Sequence, residues 1–136
     1  MNILQLSNFK AKIGKRHQPK KLLKGTANKF MLEKTSLEGS IEQFIEPYKN
    51  HKGKDTNTFG VEFAEENGQL YVKFIKPHDN ALMFREVGSR YEAYNKALVD
   101  YMRKTYAKDE QGLFKFFITD TPNADGWYPT ITTYKD

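Results

Sequence analysis

Apolar and polar residues alternate along residues 58–76, on both sides of Asn67-Gly68. An Asn-Gly pair supplies the two positive-φ positions of a type I′ turn, so this stretch is predicted to form a β-hairpin. Folding about the turn gives the hairpin one apolar face, which makes a core, and one polar face with a cross-strand ion pair. The residues predicted to face each other are Phe63 and Val72, Val61 and Phe74, and Glu62 and Lys73.

Other short apolar runs predict the remaining strands. Residues 3–13 favour a strand from Phe9 to Ile13, although they fit a helical stripe almost as well. The last two strands of the chain form a second hairpin. Pro129 places the final strand at an edge of the sheet, because proline cannot donate a ladder hydrogen bond. The other predicted strands are 28–35, 82–87, 113–119 and 127–134.

Capping residues and helical spacing predict two helices. A two-turn helix starts near Ser40 and ends at Pro47. A long helix spans residues 89–108, where Ser89 and Glu92 form a capping box and an apolar arc lies opposite a charged one.

The order of these elements predicts an α+β fold. From about residue 58 the order is strand, strand, strand, helix, strand, strand, which is typical of an antiparallel sheet with one long helix on its apolar face. By the usual size of a domain, residues 36–136 form a single α+β domain. Residues 1–35 precede it as a basic N-terminal arm with short strands.

Two small architectures have a similar order of elements. Residues 58–136 resemble the oligonucleotide-binding (OB) barrel, which has five strands with a helix between the third and the fourth. Residues 58–106 resemble the sheet-plus-helix arm-binding module of integrases, by element order and capping motif alone. Either resemblance implies a compact nucleic-acid-binding fold.

A third resemblance concerns the start of the predicted long helix. The run Ser89-Arg90-Tyr91-Glu92-Ala93 is similar to the last helix of the double-stranded-RNA-binding domain, which opens with serine, basic residues and a Glu-Ala pair. Tyrosines stand at two positions where that family has lysines, and residues 77–87 have no counterpart in it. Phosphate contact by this helix is therefore not expected.

Positive charge is concentrated at the front of the chain. Residues 1–32 contain eight basic residues and no acidic one, whereas residues 33–136 contain 14 basic and 17 acidic residues, a net charge of −3. A basic arm before a slightly acidic body is typical of a tail that binds a polyanion. A solvated extension without a ligand explains the pattern equally well. The predicted arm contacts are Lys10, Lys12, Lys15, Arg16, Lys20, Lys21 and Lys24.

Aromatic residues make up 14% of the chain, and beside a basic arm they predict binding to single-stranded or structured nucleic acid. Outside the arm, the predicted contacts are Tyr71 and Lys73 on the outer face of the first hairpin and Lys115 in the second. For Phe117, next to Lys115 in the pattern, burial in a second layer is favoured over stacking. Lysine outnumbers arginine 18 to 4, which is typical of an A/T-rich coding sequence. The predicted function is a nucleic-acid-binding accessory protein of a phage or mobile element.

The sequence has no specific catalytic or cofactor signature. Gly53-Lys54 lacks the earlier glycine of a phosphate-binding loop, because Tyr48 stands at that position. The absence of cysteine excludes disulfides and zinc sites with sulfur ligands, and it fits a reducing cytoplasm. His78-Asp79 favours a surface turn over a pair of metal ligands. We therefore predict a protein that is not an enzyme and has no cofactor or metal.

The alternative prediction is a small phage- or plasmid-encoded inhibitor that binds a host protein or enzyme. Small size, an acidic body and an edge strand at 127–134 favour this class. The apolar residues at the N-terminus are interrupted by Lys10 and Lys12, so a cytoplasmic protein without a membrane partner is expected. The oligomeric state stays open, because an edge strand can also pair between subunits.

Overall fold

Strands dominate this protein in a computed structural model that describes residues 1–9, 29–36, 38–53, 56–78, 81–107 and 113–133. The strands are β1 (Asn2–Leu4), β2 (Lys29–Glu33), β3 (Phe59–Glu66), β4 (Gln69–Ile75), β5 (Leu82–Val87), β6 (Arg90–Tyr94), β7 (Phe114–Ile118) and β8 (Tyr128–Thr133). The helices are α1 (Glu42–Ile45) and α2 (Lys96–Met102), with 3-10 turns at Leu6–Phe9 and Glu46–Tyr48 and a π-helical turn at Arg103–Ala107.

The hairpin of β3 and β4 confirms the prediction made from Asn67-Gly68. Both turn residues have positive φ, 49° at Asn67 and 79° at Gly68, as a type I′ turn requires. All the predicted facing pairs are present: Phe63 with Val72, Val61 with Phe74, and Glu62 with Lys73.

The sheet closes on itself through β3, which pairs with β4 on one side and with β5 on the other. The circular order is β3, β4, β8, β7, β2, β6 and β5, and β1 pairs with β3 beyond the end of β5. The fold is thus a closed seven-stranded barrel within a mixed α+β chain, compatible with the OB-like barrel that the sequence resembles.

Two predictions about the sheet are wrong. The sheet is not purely antiparallel, since β2 and β7 run parallel. The second hairpin is present, but β8 is not an edge strand, because it pairs with β4 as well as with β7. Pro129 is tolerated near the start of β8, where the ladder with β4 ends, and its carbonyl accepts a 2.9 Å hydrogen bond from the Thr119 N–H.

Aromatic rings from four strands fill the barrel. Phe30 of β2 stacks on Phe63 of β3 with ring centroids 5.4 Å apart, and Phe59 of β3 stacks on Phe84 of β5 at 5.9 Å. Phe116 of β7 meets Phe63 edge-on at 5.9 Å. All five side chains are at most 2% exposed. Each such pair adds about 0.5–1.5 kcal/mol of stability beyond that from burying its apolar surface. The core therefore holds together strands that are distant in sequence.

The predicted long helix at residues 89–108 is wrong. Its first turn is instead strand β6, in which Tyr91 and Ala93 point inward and are 1% and 2% exposed. The helix starts later, where the Asn95 side chain accepts a 3.0 Å hydrogen bond from the Leu98 N–H. Pairing with both β2 and β5 outweighs the local capping signal at Ser89. The similarity of this run to the last helix of the double-stranded-RNA-binding domain therefore does not extend to its structure.

Helix α1 is shorter than the predicted two turns. The Ser40 hydroxyl accepts a 3.1 Å hydrogen bond from the Glu42 N–H, so serine does mark its start. Pro47 does not end the helical stretch, because the 3-10 turn continues through it to Tyr48. Ile41 and Ile45 are fully buried where α1 covers one end of the barrel, which we call the α1 end.

The opposite end of the barrel, the α2 end, is closed by tyrosines around Glu65. The Tyr101 hydroxyl donates to the Glu65 carboxylate at 2.6 Å, and the Tyr106 hydroxyl donates to it as well. Burial, followed by the hydrogen bond to Glu65 and its negative charge, raises the pKa of both phenols above the ordinary tyrosine value. Phe9 packs on Tyr101 at this end, with ring centroids 5.5 Å apart.

The first residues of the chain are part of the barrel wall. Strand β1 pairs with the second half of β3, where Ile3 faces Ala64. The strand predicted from Phe9 to Ile13 lies outside the described residues except for Phe9, which ends a 3-10 turn. Within the described ranges, every helix falls short of the length and apolar character needed to cross a membrane.

Replacement of Gly60 is predicted to destabilise the closure. A Cβ atom at Gly60 would lie 2.9 Å from the Ala81 Cβ and 3.0 Å from the Lys76 carbonyl oxygen. Gly60→Ala should therefore lower the free energy of unfolding by about 1–3 kcal/mol in chemical denaturation, since neither neighbour is a flexible chain end. The control Glu62→Ala, two residues along β3, should change it by about 0.5 kcal/mol or less. Equal stabilities for the two variants would contradict this packing.

Removal of the charge of Glu65 is predicted to shift the titration of its tyrosines. Because folding raises these phenol pKa values, the stabilisation is complete below the ordinary tyrosine pKa of about 10 and is lost as the pH rises through the folded-state pKa. Glu65→Gln should bring phenolate absorbance and alkaline unfolding to lower pH, because a carboxylate that helps burial to raise these phenol pKa values loses its charge. Glu62→Gln, on the outer face of the same strand, is the control and should leave both unchanged. An unshifted titration in Glu65→Gln would rule out the proposed electrostatic coupling.

Candidate nucleic-acid interface

The predicted arm contacts lie outside the described residues, and only the residues on either side of them can be placed. Phe9 packs at the α2 end, and Lys29 opens β2 opposite Tyr94, the last residue of β6 before α2. Residues 10–28, which carry these contacts and are called the arm from here on, are thus flanked on both sides by residues of the α2 end. The contacts in question are Lys10, Lys12, Lys15, Arg16, Lys20, Lys21 and Lys24.

Tyr71 and Lys73 both lie on the outer face of β4, as the hairpin pattern predicts. The Lys73 ammonium lies 5.6 Å from the centroid of the Trp127 ring, which is a cation–π contact. Tyr71 faces Pro129 of β8. These two side chains form one part of the outer surface, close to the turn that leads into β8.

Lys115 occupies a different part of the outer surface. It lies on β7, which β8 separates from β4, and its ammonium is 2.9 Å from a carboxylate oxygen of Glu33. Phe117, two residues along, is only partly buried and faces Ile131, which is 39% exposed. The burial favoured for Phe117 is therefore incomplete. The structure does not bring Lys115 together with Tyr71 and Lys73.

Lys115 instead lines a groove with residues that the sequence did not single out as contacts. This groove, of about 190 Å³, runs over the outer face of β6, β2 and β7, and we call it the three-cation groove. Met31, 5% exposed, forms its floor. Its lining is Lys29, Met31, Arg90, Leu113 and Lys115, three basic and two apolar side chains.

Glu92 lies beside this groove and organises its cations. Although it is on the outer face of β6, Glu92 is 5% exposed. Lys29 Nζ lies 3.4 Å from its Oε1 and Arg90 Nε lies 3.6 Å from its Oε2, while the Tyr94 hydroxyl donates to Oε1 at 3.1 Å. Two cations thus share one nearly buried carboxylate and Lys115 pairs with Glu33, so three cations face two carboxylates and one positive charge is in excess.

Tyr94 is the most exposed of the large hydrophobic residues in the described ranges, at 52%. Lys29 Nζ lies 5.9 Å from the centroid of its ring. Burial of the hydroxyl, followed by its hydrogen bond to Glu92 and that carboxylate's charge, raises the pKa of Tyr94, and the positive charge of Arg85 opposes this shift. The ring is therefore uncharged at neutral pH, and Lys29 and Arg85 are the cations placed near it.

The α1 end carries an acidic cleft, and the adjoining groove there is lined by Lys49, Lys52 and Lys76. A cleft of about 670 Å³ is lined there by four carboxylates, together with serine, threonine and glutamine. Lys49 binds two of them, Glu42 at 2.6 Å and Glu46 at 3.4 Å, and its hydrogen bond lowers the pKa of Glu42. Among the described residues, no group of three or more potential ligands is placed to hold a metal ion. The four carboxylates are those of Glu38, Glu42, Glu46 and Asp120.

Sequence reasoning missed Arg90 and Tyr94 as surface residues because it assigned them to a helix. The signal was present, since Arg90, Glu92 and Tyr94 alternate with the apolar Tyr91 and Ala93, which is the period of a half-buried strand. The prediction gave the capping box of Ser89 and Glu92 more weight than this alternation, and so it assigned a helix.

Comparison of the chain with protein-family models, with curated proteins and with solved structures finds no match. The function is therefore argued from the chain's own residues.

Proposed function

We propose that this protein binds single-stranded or structured nucleic acid, with the basic N-terminal arm neutralising phosphates and the barrel serving as its rigid base. The observation that supports this most is the separation of charge: eight basic residues and no acidic one in residues 1–32. Arm lysines that meet phosphates release condensed counterions, and this release drives association.

Seven carboxylates of the body already have partners within the body, which leaves the positive charges of the arm available to a ligand. Lys115 engages Glu33, Lys34 engages Glu86, and further cations or hydroxyl groups of the body engage five more carboxylates. An acid that already has a partner in the body is a weaker partner for an arm lysine, so the arm's charges are left for an external polyanion. The five others are Glu42, Glu46, Glu65, Glu92 and Asp100.

The position of the arm adds to this argument. Both of its flanking residues, Phe9 and Lys29, lie at the α2 end, away from the acidic cleft of the α1 end. A polyanion held by the arm would therefore meet the part of the barrel with Tyr94 and Arg85 rather than the carboxylates that repel it. The lysine-rich composition fits an accessory protein of a phage or mobile element.

Neutralising the arm is predicted to remove most of the affinity. If all seven arm charges from Lys10 to Lys24 meet phosphates, the slope of log K against log salt should be about −5 for a single strand. With all seven replaced by glutamine, binding of a fluorescent oligothymidine should be largely lost at low salt and the remaining slope should be much shallower. Substitution is preferable to deletion, because Ile3 and Phe9 pack on the barrel.

The matched control keeps the charge and changes the side chain. With the six arm lysines replaced by arginine, affinity and slope should stay close to those of the wild-type protein. No binding of the wild-type protein at low salt, or unchanged binding after neutralisation, would contradict the proposal. Equal affinity for heparin and for oligothymidine would reduce it to general polyanion binding.

A second candidate function is inhibition of a host protein. Closure of the barrel removes β8 as an edge for strand pairing, so the acidic cleft at the α1 end is the observation that favours it. Such a cleft complements a basic groove on a partner. In nuclease-treated lysate, a stoichiometric protein partner that is lost from the Glu38→Gln, Asp120→Asn double variant would support this function over the first.

A further inference from the structure

The three-cation groove concentrates positive charge on the barrel itself. We propose that it holds one phosphate of a single-stranded nucleic acid and that Tyr94 stacks on the neighbouring base. This inference rests on the proposed function and extends it, because it adds to the arm a defined subsite on the outer face of β6, β2 and β7.

The lining of the groove has the chemistry that a phosphate requires. Lys29, Arg90 and Lys115 reach it from three adjacent strands. Arg90 provides a planar guanidinium, which suits phosphate oxygens, and its Nε is buried without a hydrogen-bond partner among the described residues. At about 190 Å³ the groove has room for one small anionic group. The apolar Met31 and Leu113 limit the access of water to the cations, which strengthens their attraction for an anion.

Two carboxylates pair with the groove's cations: Glu33 at the surface, which a phosphate would have to replace as the partner of Lys115, and Glu92, which does not compete because it acts from beneath. It is 5% exposed, whereas the side chains of Lys29 and Arg90, which share it, are 22% and 37% exposed. Glu92 thus holds the two cations in place while their outer sides meet solvent. We assign it as a positioning residue for the groove.

Tyr94 provides the aromatic surface beside the groove. Lys29 links the two, since it lines the groove and its ammonium lies 5.9 Å from the Tyr94 ring centroid. The hydrogen bond from the Tyr94 hydroxyl to Glu92 fixes the orientation of a ring that is 52% exposed. Stacking on such a ring requires an unpaired base, so the subsite selects a single strand over a duplex.

The groove and the arm are placed to act on the same strand. Lys29 opens β2 directly after residues 10–28, so the first residue after the arm is itself part of the groove. Binding at either site raises the effective concentration of the strand at the other.

Charge removal in the groove tests the phosphate subsite with the arm intact. Lys115→Gln should weaken oligothymidine binding several-fold and make the salt slope shallower by about 0.7, the value for one lost phosphate contact. Lys34→Gln is the matched control, because Lys34 is also a partly exposed lysine in an ion pair, with Glu86, but lies outside the groove. It should bind like the wild-type protein.

Ring removal tests the stacking contact independently of charge. Tyr94→Leu should weaken oligothymidine binding by about 5- to 100-fold without a change in salt slope. With an abasic strand of the same length, which keeps the phosphates, Tyr94→Leu should bind like the wild-type protein. Tyr94→Phe keeps the ring and should stay within about twofold of the wild-type affinity for both strands, which separates stacking from loss of the hydrogen bond to Glu92.

The outcomes distinguish this inference from the proposed function. If neutralising the arm abolishes binding while Lys115→Gln and Tyr94→Leu bind oligothymidine like the wild-type protein, the subsite is overturned and the arm remains. If the wild-type protein does not bind oligothymidine at low salt, both proposals fail. Equal loss for Lys115→Gln and Lys34→Gln would show a general charge effect and would also overturn the subsite.

Discussion

The pairing of β3 with β4, β5 and β1 is the constraint on which the rest of the structure depends. It closes the sheet, and closure decides which side chains face the core and which face solvent. The absence of a side chain at Gly60 lets the segment around Ala81 and the carbonyls after β4 approach β3 closely. Because β2 pairs with both β6 and β7, the alternate residues of these three strands are directed outward together, and the three-cation groove results.

The distribution of charged residues also depends on the barrel. Two helices close the two ends of the barrel, and an acidic cleft lies at only the α1 end among the described residues. At the α1 end Glu42 and Glu46 are tied to Lys49, in a cleft with further carboxylates. At the α2 end the basic arm joins the barrel beside Lys29 and Tyr94. Under the proposed function, a polyanion held by the arm would meet the α2 end and stay away from the acidic cleft of the α1 end.

The sequence predicts what local chemistry determines. The Asn67-Gly68 turn sets the register of β3 and β4 without help from distant residues, and that prediction is confirmed. The helix expected from Ser89 is wrong because β6 gains ladders with β2 and β5, which lie far away in sequence. The groove depends on the parallel pairing of β2 with β7, and no local sequence pattern predicts such a long-range contact. Lys115 was found as an outward cation, but its neighbours Lys29 and Arg90 follow only from the topology.

The most direct test of this account is a map of backbone amide chemical shifts while a short oligothymidine is titrated into the protein at low salt. The account predicts shifts at Lys29, Tyr94 and Lys115, around the three-cation groove, together with shifts in the arm. The amides of the acidic cleft, including Glu42 and Asp120, should not move. Shifts centred on the α1 end, or none on the barrel at either end, would contradict it.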